Sequence, residues 1–222
     1  MQTNYIQDFN CASHAFDYFY EMINNEGLKR ANGTTRLTNI GFNILNPLDR
    51  SIRSDFRKWN NKYAEREWAW YISKNRSVEE LKKFAPIWDK MHNGDNLVNS
   101  NYGFLWSEND QLEKIVNSLI EDTLTRQAWV TLYDGKNKDQ YTHDTPCTLN
   151  IGFEIDGYSR LNMTVLMRSN DLWYGFCNDQ FCFSKLYEMV LYKLNERLEK
   201  VYIGNYYHFA ADLHLYDQHL RK

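Results

Sequence analysis

The sequence predicts a mixed fold of α-helices and β-strands, on three observations. From Thr148 to Ile155 the apolar residues Leu149, Ile151, Phe153 and Ile155 alternate with polar ones, the period of a strand with one buried face. Behind Ser107, the residues Leu112, Ile115, Val116, Leu119 and Ile120 recur at helical spacing. Further candidates of both kinds are interspersed along the chain rather than gathered into separate halves.

Taken from the N-terminus, a helix is expected over His14 to Asn24, ending near Gly27. Thr38 to Leu45 is the first strand candidate. Ser77 and Glu80 form a capping-box pattern ahead of Leu81 and Phe84. Ser107 is the expected N-cap of the striped helix, with Asp110 in the box position, and Ala128 to Tyr133 reads as a strand. After Thr148 to Ile155, Asp156-Gly157 supplies a tight turn into an antiparallel partner, Asn162 to Met167. Phe183 to Leu198 reads as a long amphipathic helix, and Val201 to Phe209 as the last strand.

The 222 residues suit one large domain spanning 1–222, and the 43% hydrophobic content is enough for a sizeable core. Aromatic residues, at 16%, suit flat, partly polar pockets as well as packing. A net charge of -3 gives no global pull toward nucleic acid or anionic membrane, so any phosphate contact must be local and no DNA binding is required. No stretch approaches the roughly 18 apolar residues of a membrane helix. The N-terminus lacks the features of a signal peptide, and a cytoplasmic protein is expected. The four cysteines form no CxxC pair, so free thiols are expected, with neither a disulfide framework nor a metal site.

Three short segments stand out for their chemistry. Cys147 follows Asp-Thr-Pro directly before the strong strand, where Pro146 fixes the backbone at the point the thiol emerges. A lone cysteine is more often inert packing than a nucleophile, and Cys11, Cys177 and Cys182 are read that way. Between Arg168 and Asp179, polar side chains crowd behind a hydrophobic strand; Arg168 and Ser169 suit a phosphate, because a planar guanidinium donates two bonds and a hydroxyl a third. If extended, Asp212 to Tyr216 puts His214 and Tyr216 on one face, able to grip a sugar hydroxyl.

In this order, a Pro-Cys nucleophile, an Arg-Ser-x-Asp segment and a late His-x-Tyr resemble the thymidylate synthase family. The likeness extends through Glu67 to Tyr71, Ile87 to Asp89, Asn101 to Gly103 and Thr125-Arg126, and covers roughly residue 30 to the end. Within the family, Met167 to Asp171 with Gly175 to Asp179, Asn99 to Gly103, and Cys147-Thr148 look like the phage branch that hydroxymethylates deoxycytidylate.

The resemblance implies an α/β (α+β) fold, a mixed β-sheet covered by helices, whose outer face forms a homodimer. It implies that Cys147 attacks carbon 6 of a pyrimidine nucleoside monophosphate and that 5,10-methylenetetrahydrofolate is the co-substrate, with no metal. Glu67 would be the general acid and base acting through water, and Tyr102 would join that water network. Arg168 and Ser169 would hold the phosphate, with Arg126 supplied across the dimer and Arg30 near a Gly-Thr turn. Gln127 stands where the family usually has a second arginine. His214 and Tyr216 would bind the sugar, and Asp171 and Trp88 would face the pterin.

Asp179, where thymidylate synthases usually have Asn, would read the base. A protonated Asp offers one donor and one acceptor, and an ionised one could pair with N3-protonated cytosine, so cytosine is expected, with Asn178 the other candidate for the contact. The family's C-terminal tail keeps water from the site, and the chain's end directly after His-x-Tyr favours water and a hydroxymethyl product. The expected activity is deoxycytidylate 5-hydroxymethyl transfer. Its rivals are thymidylate synthase or a dUMP hydroxymethylase, a CMP hydroxymethylase, and a silent nucleotide- or RNA-binding relative.

Overall fold

The computed structural model describes residues 6–221 apart from 93, 94, 136–138, 140 and 142. A short strand, β1 (Gln7–Phe9), leads into α1 (Ala12–Glu26), whose Phe16, Phe19, Tyr20 and Ile23 are buried at helical spacing. The helix ends where expected: the Gly27 N–H donates to the Ile23 carbonyl at 3.1 Å. β2 (Leu28–Arg30) and β3 (Thr34–Ile44) follow, β3 starting four residues before the expected Thr38.

α2 (Asn61–Ser73) was not foreseen. It begins at Asn60, whose side chain accepts from the Lys62 N–H at 3.1 Å, and it ends at Lys74 in the left-handed conformation. The Ser77–Glu80 pattern starts no α-helix. Only two 3₁₀ turns form, Leu81–Lys83 and Pro86–Lys90, because Pro86 lacks an N–H and holds Ala85 extended before it.

α3 (Tyr102–Ser107) is capped by Asn101, which accepts from the Phe104 N–H at 2.8 Å. α4 (Gln111–Glu121) is the striped helix, burying Ile115, Val116 and Leu119. Ser107 does not cap it: that residue closes α3, and Asn109 and Asp110 turn the chain through left-handed φ values of 52° and 56° before α4 starts.

β4 (Trp129–Thr131) lies inside its expected span. β5 (Thr148–Ile155) and β6 (Arg160–Met167) form the expected antiparallel hairpin. After the two-residue β7 (Asn170–Asp171), a π-helical turn over Leu172–Phe176 runs into α5 (Cys177–Asn195). α5 starts six residues before the expected Phe183, so Asn178 and Asp179 sit in its first turn. β8 (Tyr202–Tyr216) reaches seven residues past the expected Phe209 and includes the His-x-Tyr pair.

The sheet is mixed, in the order β1-β3-β8-β6-β5-β4, with β2 on β3 and β7 on β8. β8 is antiparallel to β3 and parallel to β6 and β7. Along β8 the buried residues are first Tyr206, His208 and Ala210, then Leu213 and Leu215, so the inward face changes from even to odd positions. In β3, Asn39 opposes this switch with φ 55°. No helix among the described residues is long and apolar enough to cross a membrane.

Candidate active site

Pro146 delivers Cys147 to the start of β5, where the pairing with β6 is irregular between Thr148 and Asn150. The Arg168 N–H at the end of β6 closes this junction by donating to the Cys147 carbonyl at 2.9 Å. Its guanidinium then wraps the same segment, donating to the Pro146 carbonyl at 3.0 Å and the Thr145 carbonyl at 2.8 Å, and lies 3.6 Å from the Cys147 sulfur. Burial pushes the thiol up to about 11; Arg168 opposes this, and Asp179, Asp144 and Asp171 add to it. The resting sulfur is therefore a thiol.

Two carboxyls complete the electrostatic setting. Glu67 projects from α2 and is buried; Oε1 accepts from the Tyr71 hydroxyl at 3.1 Å, while Oε2 has no hydrogen-bond partner among the described residues. Burial pushes it up to about 7, against the Tyr71 hydrogen bond, which suits a group that exchanges protons near neutrality. Asp179 is raised well above the carboxylate range, first by burial and then by the charge of Glu67, and it stays protonated. Its Oδ2 accepts from Asn170 Nδ2 at 2.8 Å. Tyr102 joins the group at the nucleophile, its hydroxyl accepting from the Thr148 N–H at 3.2 Å. The Thr148 hydroxyl is a second buried oxygen with no partner among the described residues.

Ser169 is half-buried beside exposed Arg168. Arg126 and Gln127 are exposed on the loop before β4. On β8, His214 Nδ1 meets Asp212 Oδ1 at 3.0 Å, and the Tyr216 ring stands edge-on to it at 5.6 Å. Asp212 also takes Arg36 at 2.7 Å and Arg30 at 3.3 Å, so Arg30 is tied to this carboxylate. Asn178 is committed within the protein: its oxygen accepts from Trp59 Nε1 and its nitrogen donates to the Tyr174 carbonyl, both at 2.9 Å. Asp171 caps the π-helical turn, accepting from the Trp173 N–H at 2.9 Å and the Tyr174 N–H at 3.3 Å. Trp88 donates to the Tyr63 hydroxyl at 2.6 Å and packs on Trp70.

Sequence reasoning missed Asp144, a buried carboxyl that accepts from the Asn99 N–H at 2.8 Å and from the Ser100 N–H and hydroxyl at 2.7 Å each. It clasps the segment before Cys147 to the one before Tyr102. It also missed Asn170, His208 and Tyr206 as a set. His208 meets Asn170 Oδ1 at 3.1 Å and the Tyr206 hydroxyl at 2.9 Å, and burial pushes it down to about 3, so it is neutral. The available signal was the alternation of Tyr206 and His208 along one strand.

With this geometry in place, the sequence can be set beside known proteins. The family model described as thymidylate synthase matches residues 17–222. A deoxyuridylate hydroxymethyltransferase of Pseudomonas phage M6 is 31% identical over 186 residues, which are 80% of this chain and 51% of that protein. A deoxycytidylate 5-hydroxymethyltransferase of Enterobacteria phage T4 is 28% identical over 176 residues, 74% of this chain and 70% of that protein. The chain thus spans about half the length of the first relative. In structure it resembles the thermostable thymidylate synthase A from Bacillus subtilis, with a TM-score of 0.76 and 20% identity over 93% of this chain and 80% of that one.

Proposed function

Because the chain belongs to the thymidylate synthase family, we propose that it transfers a one-carbon unit to carbon 5 of deoxycytidylate and adds water to give the 5-hydroxymethyl product. The observation that carries the proton-transfer part of this reading is Glu67, buried and raised to about 7; the choice of cytosine rests on Asp179, raised well above its ordinary value, together with the Asn170 amide that donates to its Oδ2. The hydroxymethyl product is favoured by the names of both phage relatives.

Cys147 forms a bond from sulfur to carbon 6 of the base, and the electron pair of the ring's 5,6 double bond becomes available at carbon 5. Arg168, 3.6 Å from the sulfur, stabilises the thiolate that this attack requires. The co-substrate 5,10-methylenetetrahydrofolate supplies the carbon unit. Glu67 Oε2 and the Thr148 hydroxyl, without partners among the described residues, are buried polar atoms that a bound ligand or water would satisfy. Glu67 takes and returns the protons that move at carbon 5, directly or through water, and Tyr102 holds the hydrogen-bond network beside it. Arg168 and Ser169 bind the phosphate, joined by Arg126 of a second copy in a homodimer built on the sheet's outer face. His214 and Tyr216 bind the sugar hydroxyl, while Trp88 and Asp171 border the pterin.

The test is tritium release from deoxycytidylate labelled at carbon 5, with mass spectrometry of the product. Release that needs the folate and is lost in Cys147→Ser supports the reading; a methyl product with dihydrofolate refutes the water step. Deoxyuridylate is the second substrate to try, because the M6 relative is named for it. Faster turnover of deoxyuridylate would overturn the choice of cytosine.

A further inference from the structure

A protonated carboxyl does not by itself distinguish cytosine from uracil. Its hydroxyl can donate to cytosine N3 while its carbonyl accepts from the 4-amino group; with the proton on the other oxygen, it accepts from uracil N3–H and donates to O4. Asp179 therefore discriminates only if something confines its proton to one oxygen.

Three buried side chains lead away from that carboxyl. Asn170 Nδ2 lies 2.8 Å from Asp179 Oδ2, His208 Nε2 lies 3.1 Å from Asn170 Oδ1, and the Tyr206 hydroxyl lies 2.9 Å from His208 Nδ1. Asn170 is 2% exposed, and His208 and Tyr206 are fully enclosed. The Phe42 and Phe176 rings hold the imidazole from two sides, at 5.2 and 5.3 Å.

A chain of this composition has two self-consistent polarities. In one, Tyr206 donates to Nδ1, Nε2–H donates to Asn170, and the Asn170 amide donates to Oδ2. In the other the Asn170 amide is turned over and every bond is reversed: the carboxyl donates to the amide oxygen, the amide nitrogen donates to Nε2, and Nδ1–H donates to the Tyr206 oxygen. The reversed form leaves the Tyr206 hydroxyl hydrogen with no acceptor, because His208 is its only hydrogen-bond partner among the described residues. A buried unpaired donor is costlier than an under-used acceptor, so the first polarity prevails.

We propose that Tyr206, His208 and Asn170 form a polarised relay that keeps Asp179 Oδ2 an acceptor and confines the carboxyl proton to Oδ1. The donor and acceptor then face the base in a fixed order, which makes Tyr206 and His208 positioning residues for base selection. This rests on the base-reading role given to Asp179 above. Gly175 is part of the device: a Cβ there would lie 3.0 Å from Asn170 Nδ2 and 3.2 Å from Asp179 Oδ2, crowding the bond that transmits the polarity.

The experiment compares kcat/KM for deoxycytidylate and deoxyuridylate in the full chain, in His208→Phe and in Asn170→Ala. Freed from the relay, the proton can sit on either oxygen, and the ratio of the two substrates is expected to collapse about tenfold toward unity. A merely structural role would weaken both substrates alike; an unchanged ratio in folded variants overturns the relay. A wild-type preference for deoxyuridylate that collapses in the same variants would support the relay while sinking the cytosine assignment. Nitrogen-15 NMR of the unliganded wild type reads the polarity without activity: His208 should be the Nε2–H tautomer, and an Nδ1–H tautomer overturns the proposal even if the variants fail to fold.

Discussion

Glu67→Gln separates the cost of burying a carboxyl from its use. The side chain is buried, with one oxygen held by Tyr71 and the other without a partner among the described residues. Moving a carboxyl from its ordinary value of 4.5 to about 7 corresponds to about 3 kcal/mol against the charged form. Below pH 4.5 both folded and unfolded chains are protonated and the glutamate costs nothing. As pH rises through 7 the folded protein must ionise it in place, so that stability is lost across the window from 4.5 to 7. Glutamine keeps the bond from Tyr71 and never ionises. The variant should match the wild type near pH 4.5 and exceed it by about 3 kcal/mol at pH 8.5 in urea unfolding. Turnover should fall about a hundred- to ten-thousand-fold. An equal stability difference at both pH values would refute the buried-ionisation argument, and full activity would refute the proton-transfer role.

Three further outcomes follow from single contacts. With its thiol near 11, Cys147 is ionised in about one molecule in a thousand at pH 8; alkylation by iodoacetamide should be slow there, climb about tenfold per pH unit to pH 10, and slow further in Arg168→Gln. A plateau below pH 8 would contradict this. Asp144→Asn replaces a carboxyl that accepts three bonds, and should lower unfolding free energy by about 1–3 kcal/mol; a loss within noise would show that the clasp contributes nothing. Gly103→Ala sets a Cβ against the Tyr71 backbone carbonyl, where α3 crosses α2. It should cost about 3 kcal/mol and lower Tm by about 6–12 °C, and an unchanged melting curve would reject that contact.

The elements legible in the sequence were those with one clean period. α4 and the β5–β6 hairpin each bury one face, and their stripes and turn announce them. α2 escaped notice because its buried set includes Glu67, a residue that periodicity counts as solvent-facing. The start of α5 was obscured for the same reason: Asn178, Asp179 and Gln180 are polar residues ahead of the expected helix, yet each turns its polar group to a partner inside the protein. The candidate site residues Cys147, Glu67, Tyr102, Arg168 and Asp179 were named from motif company alone. The relay behind Asp179 was not, since Asn170 and His208 are 38 positions apart and meet only in the folded protein. Asp144 is a similar case, its partners lying 44 and 45 positions upstream.

The change of inward face along β8 bears on how this protein can vary. Tyr206 and His208 lie before the switch, locked among aromatic rings, whereas His214 and Tyr216 lie after it, partly open to solvent. A strand of uniform facing would bind the two pairs to one packing problem, and a substitution in either would disturb the other. Here the inversion near Ala211 works as a partition. The part proposed to meet the sugar can be rewritten residue by residue, while the part proposed to set the reading of the base can change only together with its whole surroundings.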